Sequence, residues 1–102
     1  VKAEDIQILF VTASWCGPCQ TFKKKEVPKL VAKGYNVHKT KNATIRIIDF
    51  DNDLNVLNTY KLKKIKSIPQ FIFVKNGIEV DRVKLNRIIL AEDVRNLYKR
   101  NR

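Results

Sequence analysis

Cys16 and Cys19 are the chain's two cysteines, and they stand two residues apart in Cys-Gly-Pro-Cys. A pair so spaced is a poor structural staple, because the loop it closes is too short to constrain the unfolded chain. A structural zinc site takes four ligands in most cases. Beyond the pair the chain offers one histidine, His38, so the remaining ligands would have to be carboxylates. A c-type haem needs His directly after the second Cys, where Gln20 stands. Thiol–disulfide exchange is the chemistry left.

The neighbouring segments say how the thiols are held. Ile6–Val11 (IQILFV) is apolar and β-branched and reads as a buried strand. Thr12–Trp15 is a short turn, and Gly17-Pro18 opens a helix, since proline near the first helical position loses no needed hydrogen bond. Cys16 is therefore expected at a helix N-terminus, whose free N–H groups and partial positive charge stabilise a thiolate. Such settings lower a thiol pKa from about 8.5 to roughly 3.5–7.5. Cys19, one turn in, has less access to solvent. Cys16 is read as the attacking thiol and Cys19 as the resolving one.

The helix that follows places Phe22, Val27, Leu30 and Val31 on one face and Lys23, Lys24, Lys25 and Lys29 toward water. Pro28 predicts a kink and Gly34 an end. Tyr35–Asn42 reads as a polar connection and Thr44–Phe50 as a second strand. Asp51–Asp53 offers capping side chains to a short helix with Leu54 and Leu57 inward and Val56 and Tyr60 as further inward candidates. After the basic stretch Lys61–Ser67 come a third strand, Gln70–Val74, a tight turn at Lys75-Asn76-Gly77, and a fourth strand, Ile78–Leu85. Asn-Gly supplies the positive φ of a hairpin, so these two strands are antiparallel. A last helix spans Ala91–Arg100, with Leu90, Val94, Leu97 and Tyr98 on one side. The order is β-α-β-α-β-β-α, and a right-handed crossover makes the first two strands parallel.

At 102 residues the chain is read as a single domain, 1–102, and 44% hydrophobic residues suffice for a modest core. No apolar run exceeds four residues (Ile8–Val11 and Ile88–Ala91), far short of the ~20 a spanning helix needs. No signal-peptide pattern is visible. The chain begins at Val1 rather than Met, which leaves a trimmed form with a removed leader open. A net charge of +11 favours acidic partners, or simply reflects a solvated surface rich in Lys and Asn. Nucleic-acid binding is not expected, because no binding motif accompanies the charge. The scattered Gly17, Gly34 and Gly77 make no nucleotide fingerprint, so no bound flavin or nicotinamide is expected.

The string Trp15-Cys16-Gly17-Pro18-Cys19, at a strand-to-helix junction, resembles the active-site signature of the thioredoxin family. Ile68-Pro69 before the strand Gln70–Val74 looks like that family's cis-proline loop, and Lys75-Asn76-Gly77 like its hairpin turn. The resemblance covers roughly residues 6–100. It implies an α/β thioredoxin-like fold, here in a minimal form: a four-stranded mixed sheet flanked by about three helices, with Thr44–Phe50 as an exposed edge. It implies protein disulfide reduction through a Cys16-Cys19 cycle, with no bound cofactor beyond the redox-active disulfide. Trp15, Ile68 and Pro69 would contact substrate, and Trp15, Gly17 and Pro18 complete the motif. The expected partners are protein disulfides and a reductase or other dithiol as electron donor. The chain is expected to be monomeric and cytoplasmic, with a periplasmic or other oxidising compartment as the alternative.

Some positions depart from the family. Its buried Asp, six residues before the first Cys, is Phe10 here, and a nearby Lys falls at Ile47. The proton relay is thus expected to be missing or replaced, which would slow deprotonation of Cys19. Lys61, Lys63, Lys64 and Lys66 are expected to raise the potential beside Cys16 or, equally, to form a solvated helix end. Leu85 stands about where the family has a Gly beside the substrate groove. His38 is not expected to act as a base, and Glu26 is expected at the surface. Two other functions compete: a disulfide oxidant or isomerase in an oxidising compartment, and a basic non-catalytic binding subunit for an acidic partner. A glutathione-dependent glutaredoxin ranks lower, because its motif differs.

Overall fold

The computed structural model describes residues 5–84 and 88–102. Its strands are β1 (Ile6–Thr12), β2 (Val37–His38), β3 (Ile45–Asp49), β4 (Gln70–Lys75) and β5 (Ile78–Arg82). Its helices are α1 (Gly17–Lys25), α2 (Val27–Ala32), α3 (Leu54–Leu57) and α4 (Ala91–Asn101). The strands form one mixed sheet in the order β2-β3-β1-β4-β5. β1 runs parallel to β3 and antiparallel to β4, and β4 and β5 make the hairpin expected at Asn-Gly. Asn76 (φ 52°) and Gly77 (φ 81°) supply its turn.

β1 lies at the centre, and Ile8, Leu9, Phe10 and Val11 are all fully buried. Even positions face α1, α2 and α4: Ile8 and Phe10 meet Phe22, Leu30, Phe71, Phe73, Val94 and Leu97. Odd positions face α3 and the segment that follows it: Leu9 and Val11 meet Ile48, Leu57, Ile72 and Val74. A strand buried on both faces needs no alternation, which is why IQILFV reads as a continuous apolar run. Each such side chain contributes about 1.5–3 kcal/mol by leaving water.

The structure corrects several expectations. Among the described residues the sheet has five strands, not four. Val37 and His38 pair parallel with Ile45 and Arg46, so β3 is not the edge. A two-residue strand with one apolar side chain leaves no hydrophobic pattern to read. The first helix is broken rather than kinked. Glu26 separates α1 from α2, and Pro28 sits in the first turn of the second piece, where its missing N–H costs nothing. The break resets the helical phase, so Leu30 is buried while Val31 is 55% exposed. Leu54 opens a one-turn helix and is 48% exposed, leaving Leu57 to face the core. Asp53 makes no cap to α3; its carboxylate accepts the Asp49 N–H instead. Asp49 in turn accepts the N–H groups of Asp51 and Asn52, chiefly for which its pKa lies below the usual carboxylate value.

The predicted stop at Gly34 is a Schellman ending. Tyr35 N–H reaches the Leu30 carbonyl at 3.0 Å, and Gly34 N–H reaches the Val31 carbonyl at 3.0 Å. Gly34 has φ +92°, and nothing lies within 4 Å of where a Cβ would stand. Gly34→Ala is therefore expected to cost about 1–2 kcal/mol from backbone conformation alone, read as a lower urea midpoint with unchanged slope.

Candidate active site

β1 ends at Thr12 and the chain turns sharply through Ala13–Trp15 into α1. Cys16 N–H closes this turn on the Ala13 carbonyl at 3.2 Å, and the Gln20 carboxamide holds the same carbonyl at 2.9 Å. Cys16 is the N-cap of α1: its Sγ accepts the Cys19 N–H at 3.2 Å, and Pro18 occupies the first turn. The two cysteines form a disulfide, with Cα atoms 5.2 Å apart. Cys16 is 5% exposed and Cys19 fully buried, in the order expected. Gly17 and Pro18 are exposed beside them.

Ile68-Pro69 is a cis peptide at the start of β4. Ile68 packs against Ala13, Cys16 and Cys19, so the cis-proline loop and the thiols form one small cluster. Trp15 is 66% exposed, and its indole Nε1–H donates to Asp51 at 2.6 Å. Trp15 is thus tethered beside the site rather than packed into it. Nothing in the sequence marks Asp51 as its partner: the two are far apart in the chain and meet because Phe50 N–H bonds the Thr12 carbonyl at 2.8 Å. Sequence reasoning also missed the buried hydroxyl of Thr12 and the buried carboxamide oxygen of Gln70, at the active-site ends of β1 and β4, neither with a protein hydrogen-bond partner.

Phe10 is fully buried on the α1 side. Its ring stacks on Phe71 at 4.5 Å between centroids and meets Phe22 edge-on at 5.3 Å. Its partner across the β1–β3 ladder is Ile47. Two apolar side chains thus lie side by side where the family resemblance implies an acid and a lysine.

Glu26 is not at the surface. It is 8% exposed, and its carboxylate accepts the Ala91 N–H at 2.9 Å, tying the α1–α2 junction to the first residue of α4. Lys29 lies at 3.2 Å. The Ala91 N–H foremost holds the Glu26 pKa below its ordinary value, with Lys29 and Lys25 adding to the effect and burial opposing it. Seven residues past Cys19, Glu26 stands about 10 Å farther along the helical path, too far to serve the thiol. Because the folded pKa is depressed, Glu26 stabilises the fold above its unfolded value of 4.5, and that contribution is lost as pH falls below it. Glu26→Ala is expected to cost about 2–3 kcal/mol at pH 7 by orphaning a buried N–H, with a smaller deficit at pH 3. Urea titrations at both pH values check this.

The basic stretch does not lie against Cys16 as a whole. Lys61 pairs with Ile78 at the hairpin end of the sheet. β4 separates that end from Pro69, so Lys61 sits about 20 Å from the cis-proline along the strand direction. His38 is exposed on β2. Leu85 lies outside the described residues. Among those residues, no cluster of His, Cys, Asp and Glu is placed to hold a metal ion, and no helix is long and apolar enough to cross a membrane.

The chain is similar to several known proteins. Thioredoxin H7 of Arabidopsis thaliana is 33% identical over 76 residues, covering 74% of this chain and 51% of that protein. A thioredoxin H-type of Fagopyrum esculentum is 35% identical over 85 residues, covering 80% of this chain and 65% of that one. The chain thus spans between half and two thirds of these relatives' length. The solved thioredoxin of Fasciola hepatica superposes with a TM-score of 0.63 at 23% identity, over 95% of this chain and 81% of that one, a likeness of fold. The family model described as Thioredoxin matches residues 1–93, a stretch that takes in both thiols, the cis-proline and all five strands. The chain belongs to the thioredoxin family.

Proposed function

We propose that the protein reduces protein disulfides through a Cys16-Cys19 dithiol–disulfide cycle. The observation that carries this reading is the disulfide at the head of α1, packed against the cis Ile68-Pro69 loop. In the reduced protein the Cys19 N–H and the positive end of α1 face the Cys16 sulfur, a setting that favours the thiolate. Cys16 attacks one sulfur of the substrate disulfide. A Cys16–substrate S–S bond forms, the substrate's own S–S bond breaks, and the departing sulfur takes a proton from solvent. Cys19 then loses its proton and attacks the Cys16 sulfur, which restores the internal disulfide and frees the second substrate thiol. Two electrons have passed to the substrate, and a dithiol protein or reductase must return them.

Trp15, Ile68 and Pro69 border the thiols and are assigned to substrate contact, Ile68 through its backbone. Gly17 and Pro18 shape the turn. The exchange needs no bound cofactor. Acidic protein surfaces suit the net charge of +11, and a reducing, cytoplasmic setting suits the activity. A second reading is a disulfide oxidant or isomerase: the head of α1 favours the Cys16 thiolate, and stabilising the reduced form makes the protein more oxidising.

Equilibration in graded glutathione buffers separates the readings. A potential below the glutathione poise of roughly −220 to −260 mV marks a reductant. A value near ~−180 mV or above marks an oxidant or isomerase. Failure to form the internal disulfide at any ratio would leave the non-catalytic binding subunit.

A further inference from the structure

Glu79 and Arg82 form a partly buried ion pair on β5 that no step above uses. The Glu79 side chain is 3% exposed. Its two oxygens take the Arg82 fork, Nε and one terminal nitrogen each at 2.7 Å. Residues three apart on a strand point to opposite faces. These two share a face because the β4–β5 register shifts between Phe73 and Val74. Glu79 then opposes Val74 and Arg82 opposes Ile72, and Val80 is left as the extra residue of a bulge.

The bulge aims the pair at the strap of chain that crosses this face toward Pro69. Glu79 accepts the Lys63 N–H at 2.9 Å. Arg82 donates to the Lys63 carbonyl at 3.2 Å and reaches the Lys64 carbonyl at 3.5 Å. Two backbone bonds anchor the strap just upstream, Lys61 N–H to Gly77 at 2.7 Å and Glu79 N–H to Lys61 at 2.9 Å. Beyond these bonds, Leu62, Ile65 and Ile68 pack into the core, and Ile68 continues to Cys16 and Cys19. Burial opposes the Glu79 charge, yet the Arg82 guanidinium and the Lys63 N–H outweigh it and hold the pKa below its ordinary value.

A partly buried ion pair is a poor source of net stability, but its bonds are directional. We infer that Glu79 and Arg82 are positioning residues: they fix the strap and, through it, set the Ile68-Pro69 backbone against Cys16 for docking of protein substrates. The inference rests on the reductase reading.

The test is the double variant Glu79→Gln/Arg82→Met. It removes both charges, keeps the stems, and leaves a carboxamide oxygen for Lys63. Urea unfolding first establishes that it folds, and Arg82→Lys serves as the conservative second variant. Insulin reduction is expected to show KM raised about tenfold with kcat within about twofold. Attack of Cys16 on a small aromatic disulfide, and its thiolate titration, are expected to stay unchanged. Amide exchange in the strap is expected to rise at least about tenfold. Arg82→Lys, which keeps the charge and one carbonyl contact, should fall between. An unchanged KM for insulin, or unchanged strap exchange, overturns the inference, as does an equal loss toward the small disulfide. A wild-type protein that cannot reduce insulin overturns the reductase reading instead, and is seen before any variant is compared.

Discussion

Cys19→Ser is expected to capture a protein disulfide substrate once and hold it, whereas Cys16→Ser captures none. The asymmetry follows from the head of α1. Cys16 caps the helix, and its sulfur is the one that receives an N–H bond, from Cys19. Cys19 is fully buried one turn on, placed to attack Cys16 and nothing else. With serine at position 19 the first exchange proceeds and the second cannot, so the mixed disulfide accumulates. Turnover of insulin should fall by at least about a thousandfold in either variant, because the two sulfurs act as one unit. Non-reducing gels and intact-protein mass spectra distinguish them: an adduct of Cys19→Ser, none of Cys16→Ser. A stable adduct on Cys16→Ser would exchange the two roles.

The second large effect concerns Phe10, where the family resemblance implies an acid. Phe10→Asp is expected to be severely destabilised at pH 7. Removing the ring empties the contact with Phe71 and Phe22 and costs about 3–5 kcal/mol. A carboxylate among Phe22, Phe71 and Ile47 adds about 2 kcal/mol or more, against a typical total stability of about 5–15. Phe10→Leu, which keeps much of the volume, should lose about 1.5 kcal/mol or somewhat more. Burial would raise the new acid's folded pKa, so the stability of Phe10→Asp should fall as pH rises above the unfolded value of about 3.9. Urea titrations at pH 4 and pH 7 check this. A stable Phe10→Asp with wild-type midpoint would show that the pocket admits the acid after all.

What could be read beforehand was what repeats or has a fixed signature. WCGPC at a strand–helix junction and the Asn-Gly turn stand where local sequence puts them, and the cis Ile68-Pro69 where the family resemblance does. The alternation of strands and helices gave the parallel β1–β3 pair. Features made by tertiary contact were not legible. β2 exists because Val37 finds Ile45. Glu26 looks like any charged helix residue until α4 brings the Ala91 N–H to it. Trp15 and Asp51 meet through a loop contact that no spacing encodes. Glu79 and Arg82 meet through a bulge, which breaks the period by which strands are read.

The place of β1 in the sheet has a consequence for synthesis. β1 precedes the other described strands in the chain, yet one of its two neighbours is β4, which ends at Lys75. A chain emerging from the ribosome can pair β1 with β3 once residue 49 is free, but the other border of its most apolar strand stays open until β4 has emerged as well. Nascent chains that stop between β3 and β4 should therefore cling to chaperones or aggregate through the bare border of Ile6–Val11. Release through Lys75 should abolish this in one step.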